Sequence, residues 1–159
     1  MIETVMGATK VETFSAGHLR AARTARQWSR GQLAAAMGMS VATVIGWERG
    51  TRTPEPPTLR KLAEQLNVTV GALLVTPPKE YGMAELRIVQ GMLHREVAAA
   101  VSADPGSERI LTVDRISHIE NGYERVPDEL VPPLARVYDV TPAELEAAWE
   151  RTHAKLFGE

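Results

Sequence analysis

The pattern Ser40-Val-Ala-Thr-Val-Ile-Gly-Trp-Glu-Arg-Gly50 returns as Thr112-Val-Asp-Arg-Ile-Ser-His-Ile-Glu-Asn-Gly122, aligned without a gap at an offset of 72 residues. The same offset pairs Leu62-Ala63 with Leu134-Ala135, Val68-Thr69 with Val140-Thr141 and Leu73 with Leu145. Upstream the offset falls to 64, where Arg23 meets Arg87 and Leu33-Ala-Ala-Ala36 meets Val97-Ala-Ala-Ala100. The second copy therefore carries eight extra residues within Ala103 to Leu111. A repeat of this period points to two similar supersecondary units in tandem, about 18–75 and 82–149. Residues 1–17 then read as an arm, 76–81 as a linker and 150–159 as a tail.

Each unit reads as short helices with legible ends, and no strand pattern competes. His18 to Gln27 is a basic helix, and Ser29-x-x-Gln32 is a capping-box signature opening a second helix through Met37, which Gly38 closes. Ser40 is an N-cap candidate for a third helix, Val41 to Glu48, with Val44 and Trp47 three apart on one face and Gly50 past its end. Prolines 54, 56 and 57 mark a loop and the entry to a fourth helix with Leu59, Leu62, Ala63 and Leu66 at helical spacing. Thr69 caps a short fifth helix ending near Leu74. The second unit follows the same plan, with Thr112 before its third helix and Thr141-Pro142-Ala143-Glu144 opening its last. The expected fold is all-α, with five helices per unit.

The chain has 159 residues, 44% of them hydrophobic and 24% charged, and no cysteine. That composition is too apolar for intrinsic disorder and excludes disulfides, thiolate nucleophiles and Cys-ligated zinc. The longest uncharged run, Gly31 to Trp47, is broken by Gln, Ser, Thr and glycines, so no membrane span is expected; with no signal-like N-terminus, the expected location is cytoplasmic. The overall charge of −2 hides an asymmetry. Residues 1–77 hold nine Lys and Arg against five acids, a net of +4; residues 78–159 hold nine against fifteen, a net of −6. The first half offers a favourable field to a polyanion and the second does not.

Gln32 to Gly50, followed by Pro54 and Leu62-Ala63, resembles the helix-turn-helix of the Xre family, the lambda-repressor-like five-helix DNA-binding domain. The resemblance covers residues 18–75, and residues 82–149 look like a second, degenerate copy. In that family an arginine of helix one pairs with the glutamate ending helix three, which implies structural ion pairs Arg23 with Glu48 and Arg87 with Glu120. The resemblance also implies a mode of binding, in which the first turn of helix three enters the major groove of double-stranded DNA. It assigns Arg30, Val41, Ala42, Thr43 and Gly46 to base edges, and Ser29, Arg49, Thr51, Arg52 and Thr53 to phosphates. This set is poor in hydrogen-bonding capacity, since Val41 and Ala42 can only touch thymine methyls and Gly46 reads nothing. Affinity should then lean on phosphates and fall steeply with salt.

In the second unit the corresponding positions are His94, Asp114, Arg115 and His118. Asp114 is unfavourable near phosphates, Arg115 is a candidate for a strong contact, and the eight-residue extension replaces the tight turn that fixes the helix-two to helix-three angle. Docking, dimerisation or a protein partner is the expected work of this unit, so a homodimer through the acidic half is the expected assembly. In the tail, Trp149, Leu156 and Phe157 are expected to pack back on their own unit, a dimer seam being the alternative. Residues 1–16 lack periodicity and read as a disordered arm, with a short exchanged strand over Thr9 to Phe14 as the alternative.

Enzymatic chemistry is not expected. The four histidines are scattered, no His-Glu-x-x-His pair or Gly-rich phosphate loop occurs, and no metal or cofactor is implied. The functional expectation is a sequence-specific DNA-binding transcriptional regulator, of the repressor sort found on prophages and mobile elements. The alternative is a protein-interaction module, such as an antitoxin or polymerase-associated accessory factor, that keeps the fold but reads little DNA.

Overall fold

The computed structural model describes residues 13–106 and 110–158. Contacts divide the chain into two compact units with the boundary between Pro77 and Pro78. Among the described residues the structure is helical, with a single isolated antiparallel bridge between Phe14 and Leu74.

The first unit comprises α1 (Ala16–Ala25), α2 (Arg30–Met37), α3 (Val41–Arg49), α4 (Pro56–Leu66) and a 3-10 turn (Val70–Leu73). α1 begins two residues before the expected start because Ser15 caps it, its hydroxyl accepting from the His18 N–H at 3.1 Å. It stops at Ala25, and Gln27 adopts a left-handed φ of 59°. Residues 1–12, where most of the expected arm falls, lie outside the described residues. Thr13 to Ser15 are tied to the end of the unit: Phe14 is buried, the Ser15 N–H donates to the Leu73 carbonyl and the Val75 N–H to the Thr13 carbonyl. The boundary expected at residue 18 therefore moves back to include them, because Phe14 buries an aromatic ring that the periodicity of a helix could not reveal.

Helix ends in this unit follow local chemistry. The Ser29/Gln32 capping box is complete, with Ser29 N–H donating to Gln32 Oε1 (2.7 Å) and Gln32 N–H to Ser29 Oγ (3.1 Å). Gly38 and Gly50 close α2 and α3 at φ 68° and 73°, a conformation in which a side chain would be strained. The core gathers Leu19, Leu33, Met37, Val44, Trp47, Leu59, Leu62, Leu66 and Leu73, the inward stripe of every helix. Each large side chain so buried contributes roughly 1.5–3 kcal/mol.

The second unit has a 3-10 turn (Pro78–Glu80), α5 (Met83–Val89), α6 (His94–Ser102), α7 (Val113–Glu120), a 3-10 turn (Asp128–Leu130), α8 (Val131–Val137) and α9 (Pro142–Phe157). Its core is Met83, Val97, Val101, Ile116, Ile119, Leu134, Tyr138, Leu145 and Ala148. The extension between α6 and α7 is pinned on both sides of residues 107–109, which lie outside the description. Arg136 donates to both carboxylate oxygens of Asp104 (3.0 and 2.8 Å), and the Leu111 N–H donates to Ser102 Oγ (3.0 Å). No helix among the described residues is long and apolar enough to cross a membrane.

Candidate nucleic-acid interface

α3 is built so that one face is sealed and its first turn is not. Ser40 takes the N-cap, its Oγ accepting from the Thr43 N–H (3.2 Å) and lying 2.9 Å from Thr43 Oγ1. Val44, Trp47 and Glu48 are buried, whereas Val41 is 44% exposed and Ala42 is exposed beside it. An α-helix about 10–12 Å across matches a B-DNA major groove about 12 Å wide, so an exposed first turn is the part that can meet base edges. Cations stand at the other end of the helix. Arg49 is exposed on the last turn of α3 and Arg52 beyond it, with Thr51 and Thr53 between and after them. The N-terminus of α2, whose first N–H groups carry the positive end of the helix dipole, lies near the end of α3, where Arg30 meets Glu48.

Behind the tip lies a buried carboxylate held by arginines. Arg23 donates through Nε and Nη2 to the two oxygens of Glu48, and its Nη1 donates to the Trp28 carbonyl at 2.7 Å. Arg30 Nε donates to Glu48 Oε2 at 2.6 Å, and Arg20 Nε stands 3.9 Å from the same oxygen. Burial by itself would raise the Glu48 carboxyl; the hydrogen bonds from Arg23 and Arg30 outweigh it and hold the group below the ordinary 4.5.

The structure repositions two of the expected base-edge residues. Arg30 is not a free reader at the rim, because its Nε is committed to Glu48 and its side chain is only partly exposed. The sequence could place Arg30 at the start of helix two but not the carboxylate 18 residues away that it meets. Gly46 is buried under Arg52: a Cβ there would stand 2.9 Å from Arg52 Cδ. Its carbonyl accepts from the Thr51 and Arg52 N–H groups, at 3.0 and 3.1 Å, so Gly46 positions Arg52 rather than facing a base. Thr43 is half-buried and Ser29 is occupied as a cap. Arg20 escaped the sequence reading. The signal was available, because it lies one turn before Arg23 and so shares the face that meets Glu48.

The second unit repeats the internal chemistry with a different surface. Arg87 donates through Nε and Nη2 to Glu120 (2.7 and 2.8 Å), and its Nη1 donates to the Met92 carbonyl (2.8 Å). His94 Nε2 stands 3.2 Å from Glu120 Oε1, in the role that Arg30 has beside Glu48. Burial works to raise the Glu120 carboxyl, and the bonds from His94 and Arg87 outweigh it and hold it low. At the tip of α7, Val113 and Asp114 are exposed, and His118 lies edge-on to Tyr123. Arg115 is held by Glu124 at 2.8 Å, so the strong contact expected of it is already taken. No group of three or more His, Asp and Glu among the described residues could hold a metal ion.

Both buried glutamates predict the same pH dependence. A carboxyl whose folded value lies below its unfolded value stabilises the fold above the unfolded value, and that contribution fades as pH falls through the folded one. Thermal melts from pH 7 downward should therefore lose midpoint temperature below the ordinary value of 4.5. Glu48→Gln and Glu120→Gln should melt lower at pH 7 and show a flatter acid limb. An acid limb as steep in both variants as in the parent would remove these groups from the explanation.

A helix-turn-helix family model matches residues 19–73. No curated protein and no solved structure matches the chain. The matched stretch starts at the buried Leu19 of α1 and ends at the buried Leu73, taking in the exposed turn of α3 and the exposed Arg49 and Arg52.

Proposed function

We propose, from the premise that residues 19–73 form a helix-turn-helix domain of the kind carried by DNA-binding regulators, that the chain is a sequence-specific repressor that covers a promoter. The observation that carries the reading is the exposed apolar turn Val41-Ala42 at the start of a helix whose other end carries the exposed Arg49 and Arg52. Val41 and Ala42 touch thymine methyls, while Arg49, Thr51, Arg52, Thr53 and the N-terminus of α2 meet phosphates. The chain is a cytoplasmic binding protein rather than an enzyme, and the resemblance of residues 18–75 to the Xre family supports a prophage or mobile-element setting.

The second unit is a degenerate copy of the first. The left-handed backbone positions support this, since Gln27 and Gly91 are 64 residues apart, and Gly50 with Gly122 and Asn67 with Asp139 are 72 apart, the offsets of the sequence repeat. Among the described residues Gly38 has no left-handed counterpart in the second unit, where the extension stands in place of its turn. The second tip favours a protein contact over DNA: it presents Asp114 with exposed Val113 and Tyr123, and Arg115 is paired with Glu124. Two chains pair through this acidic half, presenting two basic heads to a two-fold site.

Titration of sheared genomic duplex at two salt concentrations tests the reading. With Arg49 and Arg52 of two heads neutralising about four phosphates, affinity should fall on the order of 10²-fold between about 50 and 200 mM salt. Arg49→Ala should weaken binding at low salt and reduce the salt slope by about 1 for each head. Binding that ignores salt, or an Arg49→Ala chain indistinguishable from the parent, would overturn it.

A further inference from the structure

We propose that Arg52 is the side chain with which this chain chooses between base pairs: laid across Gly46 on the outward face of α3, it reaches a guanine close to the thymine that the first turn touches. The inference rests on the DNA-binding reading above and adds the residue that reads sequence by hydrogen bonds.

The tip of α3 lacks such a residue of its own. Val41 and Ala42 offer only apolar contact, and Arg30, whose fork could hold a guanine, already donates to Glu48 at 2.6 Å. Helical periodicity supplies the rest of the outward face. Val44, Trp47 and Glu48 are buried, so the side of the helix farthest from them carries Ala42, Gly46 and Arg49. Ala42 and Arg49 are exposed there, whereas Gly46, between them on the same face, is buried.

What buries it is Arg52. The Cβ, Cγ and Cδ of Arg52 stand 3.4, 3.1 and 2.9 Å from the place that a Cβ on Gly46 would take, so the aliphatic stem lies on the helix and comes closest at its far end. The root of the stem is fixed by the backbone, because the Thr51 and Arg52 N–H groups both donate to the Gly46 carbonyl, at 3.0 and 3.1 Å. A side chain at position 46 would claim the space that the stem fills. Arg52 is nevertheless exposed, and among the described residues the ion pairs of the first unit do not involve it. Its guanidinium is thus carried on the face of Ala42, one turn along, with part of the ordering cost met before DNA arrives.

A planar fork in that place can give two N–H groups to guanine O6 and N7, and the donors left over serve a flanking phosphate. One helical turn rises about 5.4 Å and one base pair about 3.4 Å, which puts the guanine about one or two pairs from the thymine.

Selection of the parent on a random-sequence duplex pool, followed by competition between the enriched duplex and one with that G·C pair changed to A·T, tests this. The parent should enrich a guanine at that spacing and favour it by at least about 10-fold, the discrimination of one bidentate pair. Arg52→Lys keeps the charge but not the fork, and should reduce the preference to about 2-fold or less. Gly46→Ala keeps the arginine but takes the place of its stem, and should reduce the preference equally. Helical circular dichroism and melting temperature should be no lower in Gly46→Ala than in the parent, because only a flexible side chain has to move and alanine favours the helix. A parent that enriches no guanine, or either variant keeping the preference, overturns this assignment and leaves DNA binding standing. So does a preference lost in Arg49→Lys and kept in Arg52→Lys. A parent that retains no duplex overturns both.

Discussion

Val41→Glu keeps the fold and loses duplex DNA, with affinity falling by more than about 100-fold. The two effects separate because of where Val41 sits. It is the first residue of α3, 44% exposed, so the substitution removes little packing; surface changes of this kind usually alter stability by about 0.5 kcal/mol or less. An acid in the first turn is even favoured by the helix dipole, by roughly 0.3–1 kcal/mol. In the groove the sign reverses, for a carboxylate brought among phosphates costs several kcal/mol, and each ~1.4 kcal/mol is a tenfold loss. Melting temperature and fluorescence anisotropy on labelled duplex, measured on the same preparation, read both. Val113→Glu makes the same change 72 residues later and should leave binding unchanged if the second tip stays off DNA. Val41→Glu binding like the parent would mean that the turn of α3 does not enter the groove.

Much of the helical frame could be read from residues whose partners lie within a turn. Ser29, Ser40, Thr69, Thr112 and Thr141 each cap the helix they precede, because a hydroxyl accepting from an N–H three residues on is a local bond. The glycines after α2 and α3 are equally local, each answering a left-handed φ. What escaped the sequence was set by side chains that meet across the fold. Arg30 reaches Glu48, Arg115 reaches Glu124 and Arg136 reaches Asp104, and no periodicity announces such meetings at separations of 18, 9 and 32 residues.

The consequence for the candidate interface is specific. A census of bases counts Arg30 and Arg115 as cations available to a phosphate or a guanine, yet each already faces a carboxylate. Among the described residues the exposed Arg49 and Arg52 take part in no such pair and act on a polyanion directly, while the first turn of α7 presents Asp114. The difference between the units thus lies in the surroundings of these arginines: Glu48 faces Arg20, Arg23 and Arg30 and leaves that cluster net positive, whereas Arg115 is paired one to one with Glu124. Gly46 makes the same point from the other side. The resemblance to the Xre family implied a groove position, but the close approach of Arg52 gives it a packing role that composition does not display.

Glu120→Ala should unfold the second unit at temperatures where the parent is intact. The substitution strips both carboxylate bonds from Arg87, 4% exposed, and leaves its Nη1 on the Met92 carbonyl. Stranding a buried charge in this way costs about 3–5 kcal/mol. For a unit of this size, at roughly 4–8 °C per kcal/mol, the melting point should drop by at least ~12 °C. Hydrogen exchange should place the lost protection within α5 to α9. Arg87→Met should be comparably damaging, because it leaves the Glu120 carboxylate buried with His94 beside it. The double variant Arg87→Met with Glu120→Leu discriminates between causes. If the cost lies in the charge left behind, removing both members restores much of the stability, and the double variant melts above either single one. If the bond between them is itself the main stabiliser, the double variant melts no higher than the singles, and the stranded-charge account fails.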